Sequence, residues 1–245
     1  MRSGNPALKD DIFQAARAQR GDEAMTLQGT VNKTGIALFI LMATAMWSWA
    51  RHTQGYPVGG LMLLGGLGGF VTAMVTIFKK DAAPYTVPVY AALEGLLLGA
   101  LSATYEARYP GIVMNAVGLT FGTLFALLAA YTSRLIAVTD NMRLGIAAAT
   151  GGIMVVYLID MVMGFFGVRI PFIHASGPVG IAFSLFVVGL AAFNLVMDFD
   201  FIERGADSGA PKYMEWYGAF GLLVTLIWLY LEMLRLLAKL QSRRD

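Results

Sequence analysis

Apolar residues along this chain come in seven long blocks, near 34–51, 58–78, 84–105, 111–132, 144–167, 178–199 and 214–239. Polar and turn-forming residues return in the short gaps: Gln54-Gly55-Tyr56-Pro57, Lys79-Lys80-Asp81, Arg108-Tyr109-Pro110-Gly111, Arg134 to Arg143, Arg169-Ile170-Pro171 and Glu203 to Lys212. A bilayer core about 30 Å thick takes about 20 helical residues at 1.5 Å each, which matches the blocks. The pattern predicts an all-α, seven-transmembrane-helix bundle, with consecutive helices as neighbours because the gaps are short. Three regions follow: a polar N-terminal segment 1–33, a membrane domain 34–240 and a polar tail 241–245. The first block comes after a polar opening and has no small-residue cleavage pattern, so it reads as a first span and not as a signal peptide.

Composition narrows the function classes. Of 245 residues, 57% are hydrophobic and 14% charged, against about 25% charged in soluble domains, and mean hydropathy is +0.64. That leaves too little polar surface to cover a water-soluble globule. The net charge of +2 gives no basic face for nucleic acid. The absence of cysteine removes disulfides, thiolate metal sites, iron–sulfur clusters and thiol catalysis. The two histidines, His52 and His174, fall in or beside loops and read as solvated, so no bound cofactor is expected.

Charge orients the bundle. With the N-terminus in the cytoplasm, that side carries Arg2, Lys9, Arg17, Arg20, Lys33, Lys79, Lys80, Arg134, Arg143, Arg204 and Lys212, eleven in all, against Arg51, Arg108 and Arg169 opposite. Seven spans then put the C-terminus outside, together with Arg235, Lys239, Arg243 and Arg244, which the rule disfavours. A re-entrant last segment would return the tail to the cytoplasm. Glycines four apart, Gly65/Gly69, Gly95/Gly99 and Gly118/Gly122, predict bare helix faces for close packing. Residues 5–20 are compatible with a short interfacial helix, with Asn5 as cap and Pro6 at the first position, or with a mobile tail.

An ionisable group at membrane depth costs at least about 2.5 kcal/mol on insertion scales, so five acids require explanation: Glu94, Asp160, Asp198, Asp200 and Glu232. Asp198 and Glu232 lie on consecutive helices, and two carboxyls brought together in low dielectric cannot both ionise cheaply. Protonated, they would tie the helices together; ionised, they would repel and offer hard oxygen ligands to Ca²⁺. The plainer alternative sets Asp198 and Asp200 at headgroup depth, solvated or paired with Arg204, and neutralises Glu232 with Arg235 one turn on. Contact between Asp198 and Glu232 also requires the seventh helix to start outside the hydrocarbon core or the sixth to continue to about Glu203, because Met214 to Glu232 spans about 27 Å. Glu94, beside Gly95, reads as a pore-facing acid or an interhelical hydrogen-bond donor. Asp160 reads as structural.

Several motifs carry a family resemblance. Met1-Arg2-Ser3-Gly4-Asn5-Pro6-Ala7-Leu8 followed by Phe13, the stretch Tyr90 to Gly99, Tyr109-Pro110-Gly111-Ile112-Val113, Asp198-Phe199-Asp200-Phe201-Ile202-Glu203, Ala210-Pro211-Lys212 with Glu215-Trp216-Tyr217, and Trp228 to Arg235 together resemble the bacterial branch of the Bax inhibitor-1 family, also named the transmembrane Bax inhibitor motif family. The resemblance covers essentially the whole chain. It implies a bacterial plasma-membrane protein of seven helices, with the last helix surrounded by the other six, acting as a pH-sensitive calcium leak channel. It also implies a proton-sharing acid pair on the last two helices, falling here on Asp198 and Glu232, where Glu replaces the family's second Asp. A basic latch at the end of the second helix would fall on Lys79, beside Lys80, where the family has arginine. Transient Ca²⁺ ligation by Asp198 and Glu232 follows from the same resemblance.

Two other function classes are in view. A non-conducting regulator would bind a cell-death protein or a membrane protease, as family members do, using residues 1–33. An intramembrane aspartic protease would also need two acids on neighbouring helices, but Glu232 and the lack of a Gly-x-Gly-Asp signature oppose it. A retinal protein would need a mid-helix lysine in the seventh span. The expectation is a non-enzymatic channel whose partners are the lipid bilayer and calcium.

Overall fold

The computed structural model describes residues 24–168 and 170–243. Seven long helices carry the fold: α1 Leu27–Thr53, α2 Gly59–Phe78, α3 Ala83–Arg108, α4 Ile112–Thr132, α5 Asp140–Phe165, α6 Pro178–Asp207 and α7 Met214–Gln241. A 3₁₀ turn, Lys80–Ala82, joins α2 to α3, and a single helical turn, Pro171–His174, precedes α6. All seven helices are long and apolar enough to cross a membrane. The end of the bundle where α1 and α7 begin and α6 finishes is termed the lower end, and the opposite end the upper.

Helix boundaries follow local chemistry more than hydropathy. The first helix begins at Leu27, inside the segment 1–33 expected to precede it, because Thr26 is extended (φ −126°, ψ 151°) and its hydroxyl accepts the Gly29 N–H at 2.9 Å. The sixth runs eight residues past the expected end at 199, to Asp207, and closes at Ser208 before Gly209 at φ +68°. The expected interfacial helix over 5–20 lies outside the described residues.

The last helix is the central one. It packs against α1, α3, α4 and α6, while α2 lies outside on α3 and α5 outside on α6. Ala219, Leu223, Leu229 and Leu234 of α7 are completely buried. Large apolar side chains such as Phe39, Leu63, Phe78, Phe125 and Phe165 point outward, where lipid would solvate them. Lipid tails are as apolar as leucine, so helix association in a membrane depends on close fit. Glycine supplies that fit between α1, α2 and α3. A Cβ on Gly95 would overlap the Leu41 carbonyl and one on Gly99 the Ala45 carbonyl, while one on Gly65 would come within 2.6 Å of the Leu93 carbonyl. Gly118 and Gly122 do not share this role, since a Cβ on either meets nothing within 4 Å.

Candidate functional site

Asp198 and Asp200 share a helix but face different neighbours. Two residues turn an α-helix by about 200°, so their side chains leave opposite sides of α6. Asp200 is met by Arg143 of α5 at 3.1 Å and by Arg204, one turn on, at 2.7 Å. The Arg204 pairing is the one the sequence offered. Three residues further on, Glu203 accepts from the Tyr131 hydroxyl and pairs with Arg134 at 2.6 Å. Through its hydrogen bond and charge, Glu203 raises Arg134 above the ordinary guanidinium value.

Asp198 faces α7. Its Oδ1 lies 3.7 Å from where a Cβ on Gly221 would sit, and Thr225 is its polar neighbour on the same helix. Its Oδ2 is shielded from solvent without a hydrogen-bond partner among the described residues. A carboxylate there would have little beyond the Thr225 side chain to offset its charge, which is costly in low dielectric.

Glu232 sits higher on α7 and is almost wholly buried, with 1% exposure. Its Oε1 accepts from the Tyr157 hydroxyl of α5 at 2.8 Å and pairs with Arg235 at 2.7 Å, while Arg235 also donates to Tyr157 at 2.6 Å. Its Oε2 is buried without a hydrogen-bond partner among the described residues. The structure does not bring Asp198 and Glu232 together. Asp198 is level with Gly221 and Thr225, and Glu232 lies seven residues beyond Thr225, about 10 Å along the helix. Leu195 and Leu229, both fully buried in one apolar cluster, occupy the intervening depth. The two carboxyls are therefore separate sites across an apolar layer, and the expected shared proton lacks the contact it needs.

The expected latch is also not made. Lys79 is exposed, and no ion pair joins it to Asp198 among the described residues. The reason is architectural, because α2 packs on α3 and not on α6. Lys80 is the neighbour that reaches α7, with its ammonium 5.4 Å from the centre of the Tyr217 ring. Arginines do clamp α6 at this end, but they act on Asp200 and Glu203.

The other acids fall into place individually. Glu94 of α3 points at α2, where its Oε1 would lie 2.6 Å from a Cβ on Gly69, so glycine makes room for it. Asp160 accepts the Ile170 N–H at 3.0 Å and bonds His174 at 2.8 Å, holding the connection into α6. The bond ties His174 down more than a solvated role implies. No group of three or more acidic or histidine side chains suited to a metal occurs among the described residues.

Two polar residues escaped sequence reasoning. Glu215 stands out in the sequence only as part of a family motif, yet it is fully buried. It accepts from the Thr26 N–H (3.0 Å) and hydroxyl (2.8 Å) and pairs with Lys33 at 2.8 Å and Lys212 at 2.9 Å. The start of α1 is thereby pinned to the start of α7, an arrangement that needs glycine at 29, where a Cβ would overlap the carboxylate. Lys239 is 5% exposed and donates to the Gly180 carbonyl at 2.9 Å and the Ser184 hydroxyl at 2.7 Å. A sequence signal existed for it, because Glu232, Arg235 and Lys239 recur at helical spacing on the buried side of α7.

A family model described as Bax inhibitor 1 like matches residues 5–242, nearly the whole chain. No curated relative matches the chain.

Proposed function

The chain belongs to the Bax inhibitor 1 like family, and on that premise we propose that it is a passive Ca²⁺ leak pathway gated by titration of Asp198, with its N-terminus in the cytoplasm. The observation that carries this reading is the buried, unpartnered Oδ2 of Asp198 at the seam of α6 and the central helix. A protonated carboxyl fits that seam as a neutral group beside Thr225. An ionised one requires water or a cation, and the least costly way to admit either is to loosen α6 from α7. Ca²⁺ is a suitable cation because it prefers carboxylate and carbonyl oxygens.

The arrangement described above corresponds to a closed state. Leu195 and Leu229 form the apolar layer that a hydrated ion would have to cross, a barrier of the dewetting kind. Glu232 forms a second acidic site above that layer, held by Arg235 and Tyr157, and becomes a cation ligand only when Arg235 moves away. Leak should therefore rise with pH as Asp198 loses its proton. Ca²⁺ efflux from liposomes containing the purified protein tests this directly. The reading requires flux above empty liposomes that rises from pH 5 to pH 8; no flux at any pH would leave the non-conducting regulator as the alternative.

A further inference from the structure

The upper end of the bundle contains a cavity of about 400 Å³ between the ends of α3 and α7 and the turn before α6. Three cationic side chains line it, Arg108, Arg235 and Lys239, with His174, Tyr105 and Ser242 beside them. No Asp or Glu lines it among the described residues.

Two of these side chains are tied to carboxylates. Arg235 is paired with Glu232 at 2.7 Å and His174 is bonded to Asp160 at 2.8 Å. Arg108 and Lys239 make no ion pair with a carboxylate among the described residues. Lys239 is buried, and its partners are the neutral Gly180 carbonyl and Ser184 hydroxyl. Arg108 is exposed and lies over the Tyr109 ring at 5.5 Å. A buried ammonium with only neutral partners retains most of its desolvation cost, and a second uncompensated cation on the same wall adds repulsion. An anion in the cavity removes both penalties.

We propose that this cavity binds a phosphate group, supplied either by an anionic phospholipid headgroup or by a soluble phosphate. Arginine offers a planar fork and lysine a point charge, the combination that phosphate recognition uses. The cavity lies in the last turns of α3 and α7, at the end of two membrane-length helices, where a headgroup would reach it. It also accounts for Arg235 and Lys239 at a chain end where the positive-inside rule disfavours them, since both are internal wall residues and not loop anchors. The proposal does not depend on whether the protein conducts ions.

The test measures binding to the full-length protein in neutral detergent. One arm titrates inorganic phosphate against chloride at constant ionic strength. The other compares phosphatidylglycerol with phosphatidylcholine by native mass spectrometry and thermal shift. Binding in either arm that weakens about tenfold in both Arg108→Gln and Lys239→Met, but not in Arg51→Gln at the same end, supports the site. Binding in one arm alone identifies the source. Arg108 is exposed, so its variant should fold even if Lys239→Met does not. Failure of phosphate and phosphatidylglycerol to outcompete their controls, or affinity unchanged in Arg108→Gln, would overturn the proposal.

Discussion

At the scale of single residues, the outcome for each acid is set by what its helix face meets. Asp200 turns toward Arg143 and Arg204, whereas Asp198, two positions earlier, turns toward Gly221 and Thr225 and keeps an unpartnered oxygen. Since Asp198 and Glu232 sit about two turns apart in depth, they should titrate nearly independently. The effects of Asp198→Asn and Glu232→Gln on the free energy of opening should add within about 0.5 kcal/mol, as read from Ca²⁺ flux of the singles and the double; a larger departure would indicate a shared proton. Gly29→Ala tests the Glu215 clamp. Its Cβ would overlap the buried carboxylate, so stability should fall by about 1–3 kcal/mol, measured as a lower melting temperature in detergent, whereas Gly35→Ala, where nothing lies within 4 Å, should be neutral or better. The acids themselves were legible in the sequence because charge is rare at membrane depth. Their partners on the same helix, Arg204 and Arg235, were legible too, whereas Arg143 and Tyr157 of α5 were not, because no local spacing encodes which face of α6 or α7 they meet.

Among the helices, glycine does different work at sites that look alike in sequence. Gly95→Leu should separate α1 from α3 and reduce folded yield, since the Leu41 carbonyl stands where its Cβ must go, while Gly122→Ala should be tolerated in open space. Size-exclusion profiles and melting temperatures of the two variants read the contrast. All seven helices were legible from hydropathy, as was the central last helix from the family resemblance. Their ends were not. The lower turns of α1 and α6 carry Lys33, Glu203 and Arg204, so hydropathy marks them as loop although capping and ion pairs make them helix. The latch failed for a related reason, because the end of α2 can be located in sequence but its packing on α3 alone cannot. Lys79→Ala should therefore leave the leak unchanged, and Lys80→Ala, which removes the contact with Tyr217, should alter it more; flux in liposomes distinguishes them.

For the whole molecule, the central helix carries Glu232 and faces Asp198 across its seam with α6, so on the proposed reading small movements between α6 and α7 act on both acidic sites. Gating by Asp198 is the claim on which this account turns. A pH-jump Ca²⁺ flux assay in liposomes, comparing wild type with Asp198→Asn from about pH 5 to pH 8, tests it most directly. Asparagine keeps the shape of the neutral carboxyl and cannot ionise, so the variant should remain at the wild type's low-pH leak throughout while the wild type rises. An Asp198→Asn protein that opens with the wild-type midpoint would contradict the account.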